Sequence, residues 1–232
     1  DEERVVEEAI RVLKEVLDLH RELIKRSIDV LKESLKVHER AVESLERVLK
    51  EILDLVRRGK REELDRVIRR VMEDLKRVHE ELREIHEEVI RRLDEVHRRL
   101  KKVIDRLKTR LREELRIEKR LRDAEEILDR LYRENERVLR TLKKLHRDHY
   151  ETNRRALETL LRLLEETEKL DKSGTKEEEV AERVKRIIEE VRKLAEDSRR
   201  KTEELIRRVK ELAERTDETV RRVIEELRRR TK

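Results

Sequence analysis

The side chains able to do chemistry near neutral pH are seven histidines, at positions 20, 38, 79, 86, 97, 146 and 149. Four serines, Ser27, Ser34, Ser44 and Ser198, stand near them in the periodic pattern of the chain. A hydroxyl beside an imidazole is the beginning of a nucleophile and base pair. Acyl or phosphoryl transfer would also need a cleft and oxyanion donors, and the amides inside an uninterrupted helix are already bonded to carbonyls. Metal binding fares no better. An antiparallel pair of helices places two imidazoles at most on one level, the Glu-x-x-His pattern of di-iron bundles is missing, and His146-x-x-His149 alone is a weak ligand pair. With no cysteine, thiolate sites and disulfides are excluded and the redox compartment is not indicated. The expectation is a chain without enzymatic activity, cofactor or small-molecule substrate.

The elements that carry these residues are helices. Charged residues make up 54% of the 232 positions and hydrophobic ones 34%, with two glycines and no Pro, Cys, Trp or Phe. Such a composition keeps strong helix formers and discards breakers. Apolar residues recur every three or four positions almost end to end, which separates the chain from a disordered polyampholyte. Many come as doublets, among them Val5-Val6, Ala9-Ile10, Leu23-Ile24, Val48-Leu49 and Ile52-Leu53. A doublet widens the apolar stripe beyond what a two-stranded coiled coil needs, so each helix must touch two neighbours, as in a bundle of four or more. The period lies between about 3.5 and 3.6 residues, the mark of nearly straight helices with weak supercoil.

Three helices are expected, of about 56, 110 and 56 residues. The first follows a plausible N-cap at Asp1 and ends at Gly59; the third starts at Lys176 after Ser173-Gly174-Thr175, with Thr175 and Glu178 as a capping box. Between them, residues 61–171 carry no Gly, Pro or turn cluster, and at 1.5 Å per residue they would extend roughly 165 Å. The chain therefore reads as an all-α fold of two antiparallel hairpins end to end: residues 1–117 with a turn at 58–61, and residues 118–232 with a turn at 172–175, sharing helix 61–171. Each hairpin would expose a long apolar groove, so a partner chain is expected to complete a nearly straight, coiled-coil-like bundle.

Antiparallel register about the two turns places polar residues of the stripe opposite one another. In the first hairpin His20 faces His97, His38 faces His79 and Ser34 faces His86; in the second His149 faces Ser198, His146 faces Thr202 and Tyr132 faces Thr216, with Asn135 and Asn153 beside the same levels. Buried donors and acceptors must be paired, at about 1 to 3 kcal/mol for each left unsatisfied, so complementary polar layers penalise wrong registers and wrong partners. If His20, His38, His79, His86 and His97 are buried and neutral, their pKa values should lie below about 6.5 and stability should fall in acid.

The net charge of +6 invites a search for a nucleic-acid surface. The excess is spread thinly, with 32 Lys and Arg against 30 Asp and Glu in residues 1–117, and 34 against 30 in the remainder. The most basic stretch, Lys101, Lys102, Arg106, Lys108, Arg110 and Arg112, has no aromatic side chain to stack on bases, so a solvated helix face is favoured over nucleic-acid binding. No apolar run approaches about 18 residues and the acidic start is unlike a signal peptide. A soluble protein without a membrane partner or targeting signal is expected, consistent with cytoplasmic recombinant expression.

Doublet patterning, surfaces saturated with Lys, Arg and Glu, minimal loops such as Arg58-Gly59-Lys60, and discrete His, Ser, Thr, Asn and Tyr layers resemble de novo designed helical bundles with modular buried hydrogen-bond networks. The resemblance spans the whole chain but departs from that family in the shared long helix, as if two modules had been fused or a loop removed from a four-helix chain. It implies a structural scaffold that self-associates, with polar layers choosing the partner. A reciprocal two-fold homodimer is the favoured homo-oligomer. A two-ended adaptor for designed helical-hairpin partners, or a pH-responsive assembly, are the alternatives.

Overall fold

A computed structural model of the chain describes the backbone of residues 2–231 and the side chains of residues 3–230; the expected cap at Asp1 lies outside them. Four helices of nearly equal length follow one another: α1 (Glu2–Arg57), α2 (Arg61–Glu114), α3 (Glu118–Lys172) and α4 (Glu177–Thr231). Both α1 and α3 end with glycine in the left-handed region, Gly59 at φ 71° and Gly174 at φ 75°. At the first, Lys60 N–H donates to Leu55 O at 3.0 Å and Gly59 N–H to Val56 O at 3.1 Å; at the second, Thr175 N–H donates to Leu170 O at 3.4 Å and Gly174 N–H to Asp171 O at 3.3 Å. This pair of bonds is the Schellman motif, which absorbs the last free carbonyls of a helix. The expected capping box is replaced: Thr175 Oγ1 pairs with Ser173 Oγ at 3.0 Å, and the Lys176 carbonyl takes the first bonds of α4.

The expectation of three helices is overturned between α2 and α3. Residues 115–117 are not helical, so the shared helix 61–171 does not exist. Leu115 N–H still closes on Leu111 O at 2.9 Å, and the next helical bond begins with Leu121 N–H on Ile117 O at 3.1 Å. No residue in this link has a positive φ, and none is a glycine. Leu115 is buried, and Ile117, 46% exposed, is the large apolar residue that pays for the turn. Because the chain reverses here, the two hairpins pack on each other in cis, and the bundle is completed within the chain rather than by a partner.

Ion pairs trace the pairing. α1 and α2 meet at Glu8 with Arg110, α2 and α3 at Asp94 with Lys143, α3 and α4 at Arg130 with Glu226, and α4 and α1 at Asp217 with Arg21. Each helix has two lateral neighbours, the arrangement that the doublet stripe demands. Two compact units contain a segment of every helix: Asp1–Asp29 with Glu88–His146 and Ile206–Lys232, and Val30–Glu87 with Arg147–Leu205. The first holds an apolar core that includes Leu13, Ile104, Ile127 and Leu227, the second one that includes Leu49, Ile68, Leu160 and Val184.

Truncating a core residue should cost far more than truncating the link. Leu13→Ala, at a position with no exposed surface, should lower unfolding free energy by about 2 to 5 kcal/mol in denaturant titration. Ile117→Ala should change it by less than about 0.5 kcal/mol. Equal losses would mean that the link, not the core, holds the hairpins together.

Candidate functional site

The polar residues of the stripes divide by helix. His20, Ser27, Ser34 and His38 of α1, Asn135, His146, His149 and Asn153 of α3, and Ser198, Thr202 and Thr216 of α4 are buried. His79, His86 and His97 of α2 and Tyr132 of α3 sit half-buried at the edges of their stripes.

In the first unit Ser27 Oγ and His146 Nε2 lie 2.5 Å apart, joining α1 to α3 across the core. The hydroxyl can give or take the proton, according to which ring nitrogen carries hydrogen. In the second unit Asn153 satisfies two neighbours. Ser198 Oγ donates to Asn153 Oδ1 at 3.2 Å, and Asn153 Nδ2 lies 3.3 Å from His149 Nε2. An amide nitrogen can only donate, so His149 Nε2 accepts and is unprotonated. Thr202 and Thr216 turn their hydroxyls back onto their own helix, donating to Ser198 O at 2.7 Å and Leu212 O at 2.9 Å.

Two histidines are buried without such partners. Both ring nitrogens of His20 and of His38 lack a hydrogen bond, as does Asn135 Nδ2. Asn135 stands beside His20, but the two do not meet in hydrogen-bonding geometry. Burial lowers the pKa of His20, opposed by Asn135 and the Asp217 carboxylate; burial likewise lowers that of His38, opposed by Glu39. His149 is pushed down to about 4 by burial, with His38 and His86 adding repulsion. His86 is lowered by its partial burial and by Arg147, against Glu87 and Glu151.

The α2 histidines pair with tyrosines instead of with the residues opposite them in their own hairpin. Tyr150 stacks on His86 with ring centres 4.7 Å apart and planes 8° apart, and more loosely on His79 at 6.0 Å; His97 lies 5.8 Å from Tyr132. Both tyrosines of the chain are engaged with histidine. Tyr150 and the buried Thr167 were not among the residues singled out from the sequence, and Ser27 was named there only as a serine near the histidines, not as a member of a polar level. Ser27 had a signal, since it stands seven residues from both His20 and Ser34 on one helical row; Tyr150 had none, because its partners lie on the helix beyond the unsuspected turn.

The chemistry open to this arrangement is limited. Ser27 and His146 match a nucleophile and its base in type and distance, but both are enclosed by the core and no substrate reaches them. Among the described residues no three His, Asp or Glu side chains form a group that could hold a metal ion, and no helix is long and apolar enough to cross a membrane. Half of the basic stretch on α2 is tied down: Lys108 pairs with Asp129, Arg110 with Glu8 and Arg112 with Glu125.

Acid should loosen the fold. The lowered pKa values mean that the unfolded chain takes up protons first as pH falls below about 6.5, so stability is complete above that value and declines until the folded groups titrate, near pH 4 for His149. That residue alone accounts for about 3 kcal/mol once fully protonated. The denaturant midpoint should drop between pH 7 and 4.5, and an unchanged midpoint would refute neutral burial. His38→Leu should raise the midpoint at pH 7, by about 1 to 3 kcal/mol in unfolding free energy, since it removes unsatisfied polar atoms. It should also flatten the acid response; a destabilised variant would show that His38 is held by more than packing.

No protein-family model matches the chain, and no curated protein matches it. Among solved structures it is similar to one described as a computationally designed three helix bundle, at 17% identity and a TM-score of 0.42, over 94% of this chain and 92% of that one.

Proposed function

We propose that the chain is a designed structural scaffold with buried hydrogen-bond networks, in which the hairpins 1–117 and 118–232 are each other's partner and the polar residues select their register. The observation that carries this reading is the Ser27–His146 contact at 2.5 Å, because it joins the first hairpin to the second through the core. A slip of four residues between the hairpins, which brings Ser27 to Leu142 and His146 to Leu31, would leave these buried polar groups unpaired at about 1 to 3 kcal/mol apiece. Pairing in cis also removes the need for a reciprocal homodimer, since the apolar faces of both hairpins are covered within one chain. An adaptor role loses its groove for the same reason.

The test is assembly. Light scattering on the intact chain should give a mass of 28.6 kDa. Residues 1–117 and 118–232 produced separately should combine one to one and recover the helicity of the intact chain. Halves that ignore each other, or that each prefer their own kind, would sink the reading. A second reading, pH-responsive pairing, is favoured by the unpartnered rings of His20 and His38; it requires the two halves to separate at pH 4.5 while remaining helical.

A further inference from the structure

A cavity of about 360 Å³ opens between α1 and α4 in the first unit, and its lining includes a buried, unsatisfied polar side chain. That side chain is His20, 2% exposed, with neither ring nitrogen hydrogen-bonded. Ile24 and Ile28 of α1 and Ala213 of α4 supply apolar walls. Arg21 and Asp217, paired at 3.3 Å, stand at the rim and satisfy each other. The remaining charges of the lining, Lys25, Lys210 and Glu214, are of both signs and favour no ion strongly. Thr216 also lines the space, but its hydroxyl hydrogen is committed to Leu212 O, so His20 is the polar group left to address a guest.

We propose that this cavity binds a small neutral aromatic alcohol, of which phenol is the simplest, with its ring between Ile24, Ile28 and Ala213 and its hydroxyl on the His20 imidazole. Size permits it, since a cavity of about 150 Å³ already holds benzene. The functional group follows from the imidazole. A neutral ring has one N–H donor and one bare acceptor, and a hydroxyl can answer either, whichever tautomer His20 adopts. Amines and carboxylates are charged at neutral pH and would be stripped of water against isoleucine, whereas an alcohol enters without a net charge. The cavity lies between α1 of the first hairpin and α4 of the second, so the proposal rests on the hairpins pairing within one chain.

The test is a titration of the intact chain with phenol and, separately, toluene, followed by backbone amide shifts. Saturable shifts should cluster at Ile24, Ile28 and Ala213. In His20→Leu the ratio of phenol to toluene affinity should fall about tenfold, the worth of one hydrogen bond to an otherwise unsatisfied group, while toluene continues to bind. Ala213→Leu, which fills the space from α4 and leaves His20 in place, should abolish binding of both. The proposal is overturned by an unchanged ratio in His20→Leu, by phenol binding that survives Ala213→Leu, by shifts centred elsewhere, or by no saturable binding.

Discussion

The width of the apolar stripe governs the rest of this molecule. A helix with one apolar residue per turn can rest in a two-stranded seam, but doublets such as Ala9-Ile10 and Ile52-Leu53 present two adjoining faces that must both leave water. Four helices arranged so that each borders two others meet that need within one chain. The reversal at residues 115–117 follows from it. Interrupting a helix there exposes a few backbone groups to solvent, where water can bond them, and leaves Ile117 half out. In return both hairpins cover their apolar faces within each compact unit, and burial at about 25 cal/mol per Å² outweighs a single lost turn.

Within that frame the polar residues are not equivalent. Asn153 serves Ser198 on one side and His149 on the other, and Ser27 meets His146 across the core, so these groups recover on folding much of what they lose in desolvation. His20 and His38 do not, and they are held in place by packing at a cost to stability. A sequence optimised only for stability would carry leucine at both positions. On the proposed function such a polar group is useful because it makes the wrong alignment worse. The histidines of α2 have left the core for its edge, where a tyrosine face shields one side of each ring.

The surface adds direction more than strength. Pairs between neighbouring helices, such as Arg192 with Glu46 and Arg199 with Glu39, are largely exposed, and such pairs contribute little each. Their value is that every one of them agrees with the same antiparallel alignment of α1 and α4.

Composition and period by themselves determined that the chain is all-helical, that its stripes require a bundle of four or more, and that Gly59 ends a helix in the left-handed conformation. These are local properties: helix propensity, a 3.6-residue repeat and the φ that only glycine adopts without strain. They also showed which stripe positions carry His, Ser or Asn, because such a residue is visible in one dimension. What the tertiary structure alone decided was the third turn and everything that depends on it. Leu115, Arg116 and Ile117 are good helix residues and carry no mark of a break. The reason to break there is a long-range one, the burial of one hairpin against the other. Once the chain folds back, His97 meets Tyr132, His86 meets Tyr150 and Ser27 meets His146, contacts between residues that no local period connects.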